Sequence, residues 1–201
     1  MNPESGKVAI LLNGPPRAGK DTAVEALVSA FGGNCEVFKF TRPVKDLTHR
    51  NAGIDCPHDF YEALKDTPLA EFGGKTPRQA YIDTSADLKR RHGEDAVAKL
   101  FVQAARQSGA RIILNPDLGD DMEAHCVADA FSPERVLVIR IHREGHDFSM
   151  DCRTWVTSPE LRIVDVTNRS GYRREFEAEV VAWAKKFVSE VETPALNSYA
   201  A

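Results

Sequence analysis

The residues best suited to chemistry in this sequence form a glycine-rich loop near the N-terminus. The run Gly14-Pro-Pro-Arg-Ala-Gly19-Lys20 fits the pattern G-x-x-x-x-G-K. Glycines let backbone N–H groups turn inward around phosphate oxygens, and the lysine adds a mobile positive charge. We therefore predict a site for the phosphates of ATP. Its residues are expected to be Gly14, Arg17, Ala18, Gly19, Lys20, Asp21 and Thr22.

One position after this loop departs from the usual pattern. Asp21 stands where a serine or threonine usually binds Mg²⁺, and Thr22 comes next. A carboxylate is a hard oxygen ligand that suits this ion, directly or through water, so we expect Mg²⁺ at Asp21 or Thr22. A glycine-rich turn that contains a lysine by chance is the alternative. A dinucleotide-binding fold is disfavoured, because the spacing G-x-G-x-x-G is absent from the loop.

Further polar side chains follow the predicted strands. Asp117 follows the third strand and is placed to orient Mg²⁺ or to accept the proton of an attacking hydroxyl, with a turn or helix cap as the alternative. An irregular segment at about 142–160 is long enough to act as a lid. Arginines at its borders are suited to neutralise a transferred phosphoryl group, and Arg143 is the strongest candidate. The others are Arg140 and Arg153.

Four more residues are candidates for ligand contacts. Asn168 follows the last strand and is placed to contact the nucleotide base, or to form a turn. Arg42, Lys45 and Arg78 are suited to bind the acceptor of a phosphoryl group, and ordinary surface charge is an equal alternative for each. The six histidines and four cysteines show no metal-binding spacing, so a zinc site is not expected.

The spacing of apolar residues indicates the elements that position these side chains. Short apolar runs predict buried strands, and longer runs with one apolar face predict helices. The predicted strands are 7–13, 36–40, 111–114, 135–141 and 162–167. The predicted helices are 22–31, 43–53, 76–91, 94–107, 120–131 and 172–188. Their alternation predicts an α/β fold with a parallel sheet covered by helices on both faces.

Length and composition restrict the class of protein. The chain has 201 residues, of which 42% are hydrophobic and 28% charged. These values are typical of a single globular domain, here 1–201, with a loose tail at 192–201. No apolar run approaches the ~20 residues of a membrane helix, and the first residues lack the apolar core of a signal peptide. We therefore expect a cytoplasmic protein without a membrane partner.

The charge of the chain is mild. The formal net charge is −4, which disfavours a protein that coats nucleic acid through a strongly basic surface. Two basic stretches are still candidates for local contact with DNA. They are Lys89-Arg90-Arg91 and the set formed by Arg169, Arg173 and Arg174.

Together these motifs resemble the phage deoxynucleoside monophosphate kinase-like P-loop kinases. The resemblance extends over most of the chain and rests on Gly14–Thr22 with its Gly-Lys-Asp-Thr ending, Phe40–Asp46, Thr76–Gln79, Ile113–Asp117, Val138–Arg143 and Val166–Asn168. It implies a nucleotide-kinase fold with a five-stranded parallel core, an acceptor-binding region at about 41–92 and a lid. It also implies ATP and Mg²⁺ as cofactors.

The resemblance leaves two acceptors to compare. Members that act on free monophosphates tend to carry an arginine two residues after the aspartate that ends the third strand, whereas Leu118 and Gly119 follow Asp117 here. A related branch phosphorylates the hydroxymethyl group of 5-hydroxymethyluracil within phage DNA, which requires no such arginine. We therefore favour DNA containing 5-hydroxymethyluracil as the partner. If the protein is encoded by a phage, the expected location is the host cytoplasm.

Two alternatives stay open. The first is a deoxynucleoside monophosphate kinase, which would convert a dNMP and ATP to a dNDP and ADP. The second is a P-loop switch that binds nucleotide without a small acceptor, although the base-reading motif N-K-x-D of GTPases is absent. A homodimer is compatible with each of these functions.

Overall fold

Five parallel strands form one sheet in the computed structural model, which describes residues 6–149, 151 and 153–193. The strands are β1 (Val8–Asn13), β2 (Cys35–Val37), β3 (Ile112–Leu118), β4 (Val136–His142) and β5 (Arg162–Thr167). Their order across the sheet is β2-β3-β1-β4-β5, so β1 lies at the centre, and all of its residues are buried. A continuous apolar run is typical of a strand covered on both faces. The predicted parallel sheet is confirmed.

Helices cover both faces of this sheet. The α-helices in the described residues are α1 (Lys20–Phe31), α2 (Thr41–Ala52), α3 (Pro77–His92), α4 (Ala96–Gln107), α5 (Asp121–Phe131) and α6 (Arg173–Glu192). Leu27 of α1 and Phe176 of α6 pack with Ile10 in one apolar core. Ala9 and Leu11 are also fully buried, on the opposite face because successive side chains of a strand alternate. α5 contacts β1 and β4, and none of its residues belongs to the apolar core that α1 and α6 form. Helices therefore cover both faces of the sheet, and the predicted α/β fold is confirmed.

The chain divides into two compact units. The first consists of the residues before 39 and after 103 and contains the whole sheet with α1, α5 and α6. The second consists of Lys39–Gln103 and contains α2, α3 and most of α4. The predicted single domain over 1–201 stays a prediction. No helix in the described part of the chain is long and apolar enough to cross a membrane.

An aromatic cluster forms the core of the second unit. His49 is buried there, with Nδ1 3.0 Å from the carbonyl oxygen of Cys56 and Nε2 2.9 Å from the hydroxyl of Tyr81. Tyr61 and Phe72 pack edge-on against the imidazole ring. Burial lowers the pKa of His49 and raises the pKa of Tyr81 to about 12, so both groups are neutral at pH 7. This cluster packs the segment between α2 and α3 against both helices.

β3 extends further than its apolar run predicts. The strand continues through Pro116 and Asp117 to Leu118, and its pairing with β1 shifts register near the carboxyl ends of both strands. Proline lacks the N–H that a regular ladder needs and is therefore found at such irregularities. Asp117 lies inside this irregular end of the strand, and the prediction that it follows the strand is wrong.

Other element boundaries differ from the prediction by a few residues. The second strand has only three residues instead of 36–40, because the chain turns after Val37 into α2. The remaining differences of two residues or more are α1 from Lys20 rather than 22, α2 from Thr41 rather than 43, α4 from Ala96 rather than 94, and α6 to Glu192 rather than 188. Of the predicted loose tail, Glu192 ends α6 and residues 194–201 lie outside the described part.

Candidate functional site

The glycine-rich loop lies at the carboxyl end of the central strand. β1 ends at Asn13, Gly14 follows, and α1 begins at Lys20. The neighbours β3 and β4 are parallel to β1, so the carboxyl ends of three strands meet beside the loop. The helices that follow β1 and β3 cover opposite faces of the sheet, and ligands bind in such a crevice in open α/β sheets. The N-terminus of α1 adds backbone N–H groups that favour an anion.

Close packing requires both glycines of the loop. A Cβ on Gly14 would lie 2.7 Å from the carbonyl oxygen of Ile141 in β4, and a Cβ on Gly19 would overlap the side-chain amide of Asn168. Gly19 also has a φ of 113°, which other residues rarely adopt. The amide of Asn168 donates to the carbonyl of Ala18 at 2.7 Å. Asn168 therefore holds the loop in place, and its contact with a nucleotide base stays a prediction.

The ammonium group of Lys20 lies at the start of the loop. Its Nζ donates to the carbonyl oxygens of Gly14 at 2.6 Å and Pro15 at 2.7 Å. Lys20 and Gly14 are the lysine and the first glycine of the sequence pattern, and the fold brings them into contact. Charge-assisted hydrogen bonds to phosphate are stronger than those to a neutral carbonyl. The ammonium of Lys20 is therefore suited to exchange these two carbonyl acceptors for a phosphate oxygen.

Charged side chains around Lys20 act on its pKa in opposite directions. Burial is the main cause that lowers the pKa to about 8, and the positive charge of Arg153 acts in the same direction. Asp151, Asp21 and Asp117 oppose this change. Lys20 is therefore protonated at neutral pH among several carboxylates.

This pKa predicts that ATP binding weakens in alkaline solution. Phosphate favours the ammonium form of Lys20, so binding above pH 8 requires uptake of a proton, whereas binding below pH 8 does not. We expect the dissociation constant for ATP to be about tenfold higher at pH 9 than at pH 7. Isothermal titration calorimetry at a series of pH values measures this change. Lys20→Arg is the control, because a guanidinium stays charged throughout and should remove the dependence.

Oxygen ligands suitable for Mg²⁺ are present beside the loop. Asp21 lies in the first turn of α1 next to Thr22, where the sequence places the metal, and Asp117 lies at the end of β3. Within the described residues, no three His, Cys, Asp or Glu side chains group closely enough to hold a metal by themselves. Mg²⁺ usually binds through one or two carboxylates together with phosphate oxygens and water, so these side chains fit the ion in that form.

A neighbouring asparagine positions Asp117. Asn115 donates from Nδ2 to Oδ1 of Asp117 at 2.8 Å, and its Oδ1 accepts the backbone N–H of Asp117 at 3.1 Å. The same Nδ2 donates to the carbonyl of Phe38 at 2.9 Å. Asn115 is fully buried, so these bonds hold the carboxylate of Asp117 in place at the carboxyl end of β3.

The three predicted lid arginines have different partners. Arg143 donates from Nη1 to the carbonyl of Arg17 in the loop at 2.9 Å and forms no ion pair in the described part of the chain. Arg140 lies opposite Asp165 in the register of β4 and β5 and binds both of its carboxylate oxygens at 2.8 and 2.7 Å. This pair lowers the pKa of Asp165. Arg153 pairs with Asp151. Arg143 thus has the most direct contact with the loop.

The predicted acceptor-binding residues all lie in the second unit. Lys45 pairs with Glu62, and Arg78 pairs with Asp66 at 2.6 Å. These partners lower the pKa of both carboxyl groups. Arg42 is exposed and has no ion pair among the described residues.

The basic stretches considered for DNA contact are also partly neutralised. Arg90 and Arg91 both pair with Asp87 on α3, and Arg173 pairs with Glu177 on α6 at 2.6 Å. Exposed pairs of this kind contribute little to stability, but they reduce the local positive charge available to phosphates.

The sequence pattern does not single out Asn13, although it connects three parts of the site. It is fully buried, and its Nδ2 donates to the carbonyls of Leu118 and Thr154, each at 3.0 Å. Its Oδ1 accepts the N–H of Val156 at 3.2 Å. The sequence feature that could identify Asn13 is its position as a polar residue that ends an otherwise apolar strand directly before the loop.

Several solved kinase structures are similar to this chain. Neither a protein-family profile nor a curated protein sequence matches it. A sugar kinase from Janibacter sp. HTCC2649 is 11% identical, with a TM-score of 0.46 over 91% of this chain and 95% of that one. A gluconokinase from Sinorhizobium meliloti 1021 is 13% identical, with a TM-score of 0.45 over 94% and 97%.

A thymidylate kinase from Candida albicans is also similar. It is 14% identical, with a TM-score of 0.34 over 90% of this chain and 93% of that one. Because these TM-scores all lie below 0.5, the similarities carry no weight in assigning a function.

Proposed function

We propose that this chain is an ATP-dependent phosphotransferase. The observation that carries the proposal is the position of Lys20, whose ammonium is bound inside a glycine-rich loop at the end of the central strand. Asp117 lies at the end of the adjacent strand, and Arg143 reaches the loop from the strand on the other side. Phosphoryl transfer requires a cation that binds phosphates, a carboxylate that binds the acceptor hydroxyl, and an arginine that neutralises developing charge.

Each of these side chains has a separate task in the proposed mechanism. Lys20 and the loop N–H groups hold the β- and γ-phosphates of ATP. Asp117 orients the acceptor and takes the proton of its hydroxyl, while Arg143 neutralises negative charge on the transferred group. Asp21 and Thr22 would hold Mg²⁺, which when bound neutralises phosphate charge. Asn168 donates to the carbonyl of Ala18 in the loop and is the candidate to contact the base of ATP.

For the acceptor, we propose the hydroxymethyl group of 5-hydroxymethyluracil in DNA. The position two residues after Asp117 is Gly119, which carries no side chain to bind a free monophosphate. A hydroxyl on an extruded base needs no such contact. The candidates to bind this acceptor are Arg42, Lys45 and Arg78.

One observation favours a deoxynucleoside monophosphate kinase as the second candidate. A Cβ on Gly119 would lie 3.3 Å from Cγ of Arg153, so an arginine from another segment stands beside that position. Arg153 is therefore the candidate to replace the arginine that is missing from the strand end.

The test is transfer of label from γ-labelled ATP with Mg²⁺, offered in parallel to each dNMP and to DNA containing 5-hydroxymethyluracil. Label in this DNA, and none in ordinary thymine DNA, would support the base-modifying kinase. Label in a dNDP would support the monophosphate kinase instead. Slow ATP hydrolysis that does not depend on any acceptor would contradict both and favour a nucleotide-binding switch.

The role proposed for Asp117 predicts a split between turnover and binding. Asp117→Asn keeps an oxygen that can accept from Asn115 but loses the base, so we expect transfer to slow by about 10²–10⁴-fold. The dissociation constant for ATP should change by less than about threefold, because the proposed role of Asp117 is toward the acceptor. Single-turnover transfer and ATP titration measure the two effects separately.

Asp129→Asn is the matched control, since this exposed carboxylate of α5 lies away from the loop and should affect neither quantity. Weaker ATP binding with unchanged turnover in the Asp117 variant would contradict the assignment.

A further inference from the structure

Asp151 and Arg153 form a tight pair in the segment between β4 and β5. Nε of Arg153 lies 3.0 Å from each carboxylate oxygen of Asp151, and Nη2 also donates to Oδ2. The backbone N–H of Arg153 donates to Oδ1 at 3.0 Å. Both side chains are largely buried, at 13% exposed for Asp151 and 25% for Arg153. The carboxylate thus binds Arg153 through the guanidinium edge that would otherwise bind a phosphate.

This pair lies beside the glycine-rich loop. Asn13, which directly precedes the loop, binds the carbonyl of Thr154 and the N–H of Val156. The N–H of Thr154 donates to the carbonyl of Gly119 at 2.8 Å, and Gly119 also packs against the Arg153 side chain. The segment is therefore attached both to the end of β3 and to the start of the loop.

The charges of the pair reach the ammonium of Lys20. Asp151 raises the pKa of Lys20 and Arg153 lowers it, and Lys20 in turn helps to lower the pKa of Asp151. One carboxylate therefore interacts with both Arg153 and Lys20. A phosphate group makes the same kinds of contact with an arginine and a lysine.

We propose that Asp151 acts as an internal competitor for phosphate, because it occupies Arg153 and adds negative charge beside Lys20 before nucleotide binds. This inference rests on the proposed function of the loop. Bound ATP brings phosphate charge next to the same cations, so it must displace Asp151 from Arg153 or bind against its repulsion. Asp151 is a positioning residue that lowers the affinity for phosphates, and its displacement exposes the guanidinium edge of Arg153 that it binds.

A simple turn in the same segment provides a matched control. Asp147 accepts the backbone N–H of Ser149, two residues later, at 2.9 Å, as Asp151 does with Arg153. Asp147 also binds the hydroxyl of Ser149 rather than an arginine, and it is not among the charges that act on Lys20. Asp147→Asn and Asp151→Asn change the net charge equally, and both keep an oxygen for the backbone N–H.

The experiment measures binding of inorganic tripolyphosphate, ATP and adenosine to wild type, Asp151→Asn and Asp147→Asn. It is done at pH 6.5, well below the pKa of about 8 that Lys20 has in the wild type. We expect Asp151→Asn to bind tripolyphosphate and ATP about tenfold more tightly than wild type, and Asp147→Asn to stay within about twofold. The gain should decrease between 50 mM and 500 mM salt, and adenosine should show no gain because it lacks phosphate.

Equal or weaker tripolyphosphate binding by Asp151→Asn, with measurable binding by wild type, would overturn the inference and leave the proposed function intact. If neither protein binds tripolyphosphate or ATP, the proposed function fails as well. If Asp151→Asn unfolds at the temperature of the assay, Asp151→Ser replaces it, since a serine hydroxyl can accept the same N–H without charge. The serine variant should show the same gain in affinity.

Discussion

Replacing Lys20 by alanine should reduce phosphoryl transfer by about 10²–10³-fold, the loss typical of removing one group that stabilises transition-state charge. The ammonium is held within the loop by the carbonyls of Gly14 and Pro15. The fold should survive, because burial of this ammonium lowers its pKa and therefore opposes the charged state in the folded protein. Label transfer from γ-labelled ATP, together with thermal unfolding, measures both expectations.

Lys185→Ala is the control for this variant. Lys185 is exposed on α6, so its removal changes the net charge equally without touching the loop. Full activity in Lys20→Ala would show that the loop does not hold the phosphoryl donor. Loss of activity together with loss of the folded state would instead assign Lys20 a structural role.

Replacing Asn13 by alanine should have the largest effect on stability. The substitution leaves the N–H of Val156 and the carbonyls of Leu118 and Thr154 without their partner. A buried polar group that loses its partner costs ~1–3 kcal/mol, so we expect the free energy of unfolding to fall by about 2–4 kcal/mol. Urea denaturation measures the change, and an unchanged slope would show that the unfolded state is unaffected.

Asn51→Ala is the matched control for Asn13. Asn51 is exposed near the end of α2, and its replacement should change the free energy of unfolding by less than ~0.5 kcal/mol. A decrease below ~1 kcal/mol in Asn13→Ala would mean that water replaces the lost hydrogen bonds, contrary to our expectation.

Local sequence pattern predicts much of the fold. The five strands and six α-helices in the described residues all correspond to predicted elements, because their apolar runs and apolar faces follow directly from strand and helix geometry. Thr76 before Pro77 correctly marks the start of α3, where the threonine hydroxyl accepts the N–H of Gln79 at 3.1 Å. Strand ends are less predictable. Whether Pro116 and Asp117 continue β3 depends on the neighbouring strand, which local pattern does not contain.

The candidate site also contains some parts that the sequence predicts and others that it does not. The glycine-rich loop is evident from the sequence, since Gly14, Gly19 and Lys20 are close along the chain and each is required by local geometry or charge. The partners of the arginines are not evident. Arg140 binds Asp165 because the register of β4 and β5 sets them side by side, 25 residues apart in sequence.

The sequence by itself therefore determined an α/β chain with a phosphate-binding motif after its first strand. Tertiary structure decided which charged side chains surround Lys20, that Asn13 connects the loop to the segment before β5, and that Asp151 occupies Arg153. The physical reason is the range of each interaction. Backbone conformation and apolar periodicity act between near neighbours along the chain, whereas ion pairs and buried hydrogen bonds depend on distances that only the folded sheet establishes.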